Sequence, residues 1–94
     1  KANRNCERGN HAHKKCTQFL FPVKGDIKIL IDNGKKKKES LIKLGTIIKI
    51  KPMNWIKVKL KKNQILAVIC DKPYSENEYI RDYEKFKKLI SLSL

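Results

Sequence analysis

Between Gln18 and Cys70 the chain sets short Ile-, Leu- and Val-rich runs between turn residues, the pattern of an all-β sandwich or barrel. The run Asp26 to Asp32 ends at Asn33-Gly34, a pair suited to positive φ at both central positions of a hairpin turn. Lys35 to Lys38 then begin the returning side as a solvated tip that also discourages edge pairing. Leu41 to Leu44 and Thr46 to Lys51 predict two short strands around Gly45, stopped by Pro52, which has no N–H to give a ladder. In Trp55 to Lys61 the alternation is clearest: Ile56, Val58 and Leu60 face one way, and Lys57, Lys59 and Lys61 the other. The continuous apolar run Gln64 to Cys70 predicts a strand covered on both faces.

The period changes after Pro73. Ser75 and Glu78 fit a capping box, which predicts a helix over about 75–92. Tyr79, Tyr83, Phe86 and Ile90 would form its apolar stripe, and such aromatic stripes are usually core. No internal repeat or linker interrupts the pattern, so 1–94 reads as one domain. The expected class is mainly β, with a single C-terminal α-helix.

Charge changes the picture less than its size suggests. The net charge of +14 comes from 23 Lys and Arg against 9 Asp and Glu, and the only arginines are Arg4, Arg8 and Arg81. Lysine is a solvated point charge more often than a reader of bases, and the lysine face of Trp55 to Lys61 carries no interleaved aromatics. A nucleic-acid partner is therefore not expected. No run approaches the length of a membrane span, so no membrane partner is expected either. Cys6, Cys16 and Cys70 are odd in number and form no Cys-x-x-Cys pair, which points to free thiols in a reducing cytoplasm, with Cys16 and Cys70 buried. Lys1 to Asn5 are polar and begin without Met, consistent with a chain that has lost its natural start.

The chemically loaded segment is Glu7 to Lys15, which holds both histidines. His11 and His13, at i and i+2 on an extended strand, project from one face and so act on one site. Three readings are open: a metal site, acid–base chemistry, or a polar pair at a strand end. A metal needs further ligands, and the chain has no third His. Acid–base work asks less, because two neutral imidazoles over one face can take a proton from one carbon and return it at the next.

The string Gly9-Asn-His11-Ala-His13, with Gln18 and then Gly25, resembles the first signature of the cupin superfamily, with Gln where metal-binding members carry Glu. Of the second signature, Gly45 and Pro52 are in place, but Ile56 stands where many relatives have His. More closely, Arg8 to Lys15, Asp32-Asn-Gly34, Pro52-Met-Asn-Trp55 and Glu78-Tyr-Ile-Arg-Asp-Tyr-Glu-Lys-Phe86 resemble the dTDP-sugar 3,4-ketoisomerases and related WxcM-like domains of surface-polysaccharide biosynthesis.

That resemblance implies a cupin-type jelly-roll barrel (double-stranded β-helix) that moves the carbonyl of a dTDP-4-keto-6-deoxyhexose from C4 to C3 with no metal and no cofactor. It implies His11 as base with His13 as partner or relay, and substrate contacts from Arg8, Lys14, Gln18 and Trp55, the last equally explained as core packing. It also implies a homodimer, and an N-terminal stretch ahead of Arg8 that supplies further strands. After Cys70, Asp71-Lys-Pro-Tyr74 keeps only the Tyr of the relatives' usual string. The alternative is a non-catalytic or truncated cupin module that binds a sugar nucleotide or a partner chain. One geometrical expectation follows. Gln18 is an odd step from His13, so it reaches the same interior only if a bulge or bend between Lys14 and Thr17 resets the alternation.

Overall fold

Strand β6 (Trp55–Leu60) lies at the centre of the larger sheet, and its alternation decides which side is core. It pairs antiparallel with β3 (Ile27–Asp32) on one side and β1 (Cys6–His13) on the other. β4 (Lys37–Ile42) and β8 (Tyr79–Ile80) complete the sheet in the order β4-β3-β6-β1-β8. A second antiparallel sheet has β2 (Gln18–Lys24) between β5 (Ile48–Ile50) and β7 (Ile65–Cys70). The computed structural model describes residues 2–92; Lys1, Ser93 and Leu94 of the one-domain reading lie outside the described residues.

Ile27 and Ile29 of β3, Ile56 and Val58 of β6, and Leu20 and Ile50 of the smaller sheet are buried together between the layers. The lysines of the same strands face outward, as the period-two pattern requires. Among the described residues no helix is long and apolar enough to cross a membrane.

Several expectations are corrected by the structure. Asp32 pairs with Lys37, so Asn33 to Lys36 form a longer loop in which only Gly34 has positive φ. The Asn33 side chain accepts from Lys35 N and Lys36 N, satisfying amides that a tighter turn would have left to the ladder. Lys37 and Lys38 therefore belong to a strand, and the Thr46 to Lys51 strand shortens to β5. β7 is half-exposed: Val68 and Ile69, which point to opposite faces, are both open, so neither face is covered toward the Cys70 end.

The helix α1 spans Tyr83–Leu92 rather than 75–92. Ser75 makes no side-chain cap, and Glu76–Glu78 is a single 3-10 turn leading into β8. The effective cap is Asp82, whose carboxylate accepts from Glu84 N at 2.9 Å. Tyr83, Phe86 and Ile90 keep the helical stripe, while Tyr79 belongs to a strand.

Candidate active site

The two histidines owe their positions to a break in β1. Gly9 (φ +86°) and Asn10 (φ +53°) form a bulge opposite β6, and the register shifts between Gly9 and His11. A Cβ on Gly9 would lie 3.0 Å from the Ile56 carbonyl oxygen, and with φ at +86° any other residue there would be strained. The bulge also leaves the Gly9 carbonyl 3.0 Å from His11 Nδ1. A carbonyl only accepts, so Nδ1 carries the hydrogen and His11 Nε2 holds the free lone pair.

His13, 4% exposed, follows with its ring centroid 5.1 Å from that of His11, edge to face. Tyr79 of β8 touches both rings, at 5.1 Å from His11 and 4.4 Å from His13. Arg81 lies 4.3 Å above the Tyr79 ring and is held there by Glu76, with Nε donating to Oε1 at 2.7 Å. The Tyr74 hydroxyl donates to the same Glu76 carboxylate at 2.6 Å. Together Arg81 and Tyr74 hold the Glu76 carboxyl down to about 2.

Beside His13 a concavity of about 230 Å³ is lined by Cys16, Cys70, Tyr74, Glu78 and Tyr79 among others. A larger groove, lined in part by Cys6, Leu41 and Lys59, contains neither histidine. Among the described residues His11 Nε2, His13 Nδ1 and His13 Nε2 are buried without a hydrogen-bond partner. Buried polar atoms are normally paired, so three orphans in two adjacent rings mark a place where another molecule's polar groups would complete the set. No group of three or more His, Cys, Asp or Glu among the described residues is disposed to hold a metal ion.

Burial lowers both imidazoles from 6.5. For His11 the Gly9 bond opposes it and His13 adds to it; for His13 Glu78 opposes it. Both rings are thus neutral near pH 7 and able to accept a proton. The same shifts govern stability. Below 6.5 the unfolded chain binds protons that the folded histidines refuse, so stability is lost as pH falls through 6.5 toward the folded values. We expect the melting temperature to drop between about pH 7 and pH 5, above the range of ordinary carboxylates. The slope should shrink when His11 and His13 are both replaced by Asn. An equal slope in native and double variant would contradict the burial argument.

The other residues singled out in the sequence are placed as follows. The chain breaks strand geometry between Lys14 and Thr17, as parity required, and β2 starts in the other sheet at Gln18. Gln18 is buried, with Nε2 4.0 Å from the Cys70 sulfur that borders the concavity. Lys14 is exposed on an adjoining depression with Lys15 and Lys72. Arg8 is exposed on β1 near Arg4 and does not line the histidine concavity. Trp55 is core: it packs 5.2 Å from Tyr83 and 5.7 Å from Phe86. Cys16 is buried as expected and its thiol is pushed up to about 11, chiefly by burial, but Cys70 is exposed. Glu76, Glu78, Tyr79 and Arg81 were not picked out as site residues, since their spacing reads as a capped helix. The one signal that reached the last three was the Glu78 to Phe86 string.

Comparison with known proteins converges on one group. Residues 1–91 match the family described as FdtA: WxcM-like, C-terminal. A TDP-4-oxo-6-deoxy-alpha-D-glucose-3,4-oxoisomerase of Aneurinibacillus thermoaerophilus is 30% identical over 86 residues, which is 89% of this chain and 62% of that protein. The chain therefore spans under two thirds of the length of that curated relative. Among solved structures, a TDP-fucose-3,4-ketoisomerase from Campylobacter jejuni superposes with a TM-score of 0.86 at 31% identity, covering 95% of this chain and 69% of the other. A sugar 3,4-ketoisomerase from Thermoanaerobacterium thermosaccharolyticum, solved in complex with TDP, gives 0.90 at 25% identity over 100% of this chain and 70% of that one.

Proposed function

This chain belongs to the WxcM-like, C-terminal family, and we propose that it catalyses the 3,4-ketoisomerisation of a TDP-linked 4-keto-6-deoxyhexose used in surface-polysaccharide synthesis. The carrying observation is the pair of adjacent neutral imidazoles, His13 buried and His11 half-buried, with three buried and unpartnered ring nitrogens. The relatives named above supply the substrate class.

In this reading His11 Nε2 removes the C3 proton, which the neighbouring C4 carbonyl acidifies. The enediol forms with a proton gained at O4, and loss of the O3 proton with delivery of one to C4 leaves a 3-ketone. Oxidation at C3 balances reduction at C4, so the net change needs no external electron carrier. His13 relays protons between these positions. Lys14, with Lys15 and Lys72 on the adjoining depression, faces the diphosphate, and Gln18 orients groups at the inner end. The wide lysine surface draws an anionic substrate in without selecting it.

The reading extends to partner and place. Val23 and Ile69 of the smaller sheet, and Ile47 just before β5, are exposed apolar side chains that a second copy would cover as a homodimer. Sedimentation as a monomer at micromolar concentration would remove the dimer. Three free thiols fit the reducing cytoplasm, and disulfides found in protein isolated from its host would contradict that. Incubation with TDP-4-keto-6-deoxyglucose tests the activity itself: a 3-keto product supports it, whereas nucleotide binding without turnover would favour the non-catalytic module.

A further inference from the structure

We propose that Glu78 is a positioning residue for His13, tying the crossover between the two sheets to the histidine pair and supplying the counter-charge for the proton His13 carries. The inference rests on the acid–base reading above. Its ground is the contact set of one carboxylate. Glu78 Oε2 accepts from Lys15 N and Cys16 N, both at 2.6 Å, and the Glu78 carbonyl accepts from Lys14 N at 3.0 Å. Glu78 thereby holds the segment that leaves β1 immediately after His13. The same Oε2 lies 3.8 Å from His13 Nδ1, with side-chain exposures of 15% for Glu78 and 5% for His13.

That distance is too long for a hydrogen bond to the neutral ring. It is short enough for strong attraction once the ring is protonated in a site with little water. The two histidines are thus unequal. His11 has a carbonyl on Nδ1, which fixes its tautomer, whereas His13 has a carboxylate beside Nδ1, which favours its cation. A base that must start neutral and a relay that must hold a proton briefly ask for those two environments.

Of the charged groups that favour the His13 cation, Glu78 acts most strongly. His11, on the same strand, is neutral near pH 7 and carries no negative charge. Tyr79 from β8 presents its ring, and Arg81 opposes the cation but is paired with Glu76. Asp71, just after β7, also favours the His13 cation but less than Glu78 does, and its carboxylate accepts from Thr17 N at 2.9 Å; Cys70 and Cys16 line the concavity. The Glu78 carboxyl itself feels burial, which raises it, yet the Lys15 and Cys16 amides and His13 leave it lowered and charged near neutrality.

The test separates the counter-charge from the structural bonds. Glu78→Gln keeps an oxygen to accept from Lys15 N and Cys16 N but loses the charge. The chain has two histidines, so imidazole NMR can follow each, with His11→Asn providing assignment. In Glu78→Gln, His13 should titrate at lower pH than in the native chain while His11 stays near its own value. Turnover should show kcat reduced about tenfold, KM within about twofold, and the acid limb of the rate profile displaced in the same direction. Glu78→Asp, which keeps the charge, should restore most of the His13 titration and serves if the Gln variant does not fold. An unmoved His13 titration in folded Glu78→Gln overturns the proposal, whatever the turnover. A displaced His13 titration in a chain without isomerase activity would refute the reaction and leave Glu78 as the counter-charge of His13.

Discussion

Replacing His11 with Asn lowers kcat for isomerisation by about a thousandfold, the middle of the range that a positioned general base contributes. The expectation follows from the nitrogen that the bulge leaves free. Gly9 engages Nδ1, so Nε2 is the basic atom, and it is buried without a partner among the described residues. An Asn amide can still donate toward the Gly9 carbonyl, but it has no lone pair of comparable basicity. The fold should therefore survive, with a melting temperature within a few degrees of native, while the proton abstraction is lost. Steady-state assay alongside thermal melting checks both halves. Turnover within tenfold of native would take His11 out of the mechanism, and a large loss of stability would leave the activity change uninterpretable as chemistry.

Phe86→Ala is expected to cost about 3–5 kcal/mol, the usual range for emptying a buried aromatic site. Phe86 is 0% exposed and packs with Ala12, Trp55 and Ile80, joining α1 to β1, β6 and β8. Small domains have about 5–15 kcal/mol in total, so this one change removes at least about a fifth of what holds the chain folded. The loss also reaches the site. Ala12 sits between the two histidines and Ile80 follows Tyr79, so the cavity lies directly behind the rings that the mechanism uses. Urea unfolding should show a lower midpoint with an unchanged slope. Leu92→Ala, at the exposed end of the same helix, should leave the midpoint where it is. A shift of under 1 kcal/mol in Phe86→Ala would mean that α1 does not anchor the sheet.

How much of this was legible in the sequence depends on what each pattern senses. Ile56, Val58 and Leu60 against Lys57, Lys59 and Lys61 gave both a strand and its buried face, because period-two alternation and one-sided burial are the same fact. The histidine pair was legible for that reason as well. Ser75 and Glu78 misled because a capping box is defined by spacing, whereas Lys15 N and Cys16 N are tertiary competitors for the same carboxylate. Asp82, the cap actually used, competes at the sequence level with an equally plausible start seven residues earlier. The apolar run of β7 predicted burial on both faces, but apolar composition does not say whether a neighbouring layer reaches far enough to cover Val68 and Ile69, which are open on opposite faces. Tyr79 reads as core by spacing, and its contact with both histidines arises only because β8 pairs Ala12 with Ile80 and His13 with Tyr79.

The central claim is that two histidines move a proton between adjacent carbons of a keto sugar. It is tested most directly by following TDP-4-keto-6-deoxyglucose by proton NMR in deuterium oxide, with the chain treated beforehand with a chelator. The account predicts loss of the ring-proton signal at C3, deuterium incorporation at C4 and a 3-keto product, all absent with His11→Asn. A folded native sample that binds the nucleotide sugar yet exchanges no ring proton would contradict it.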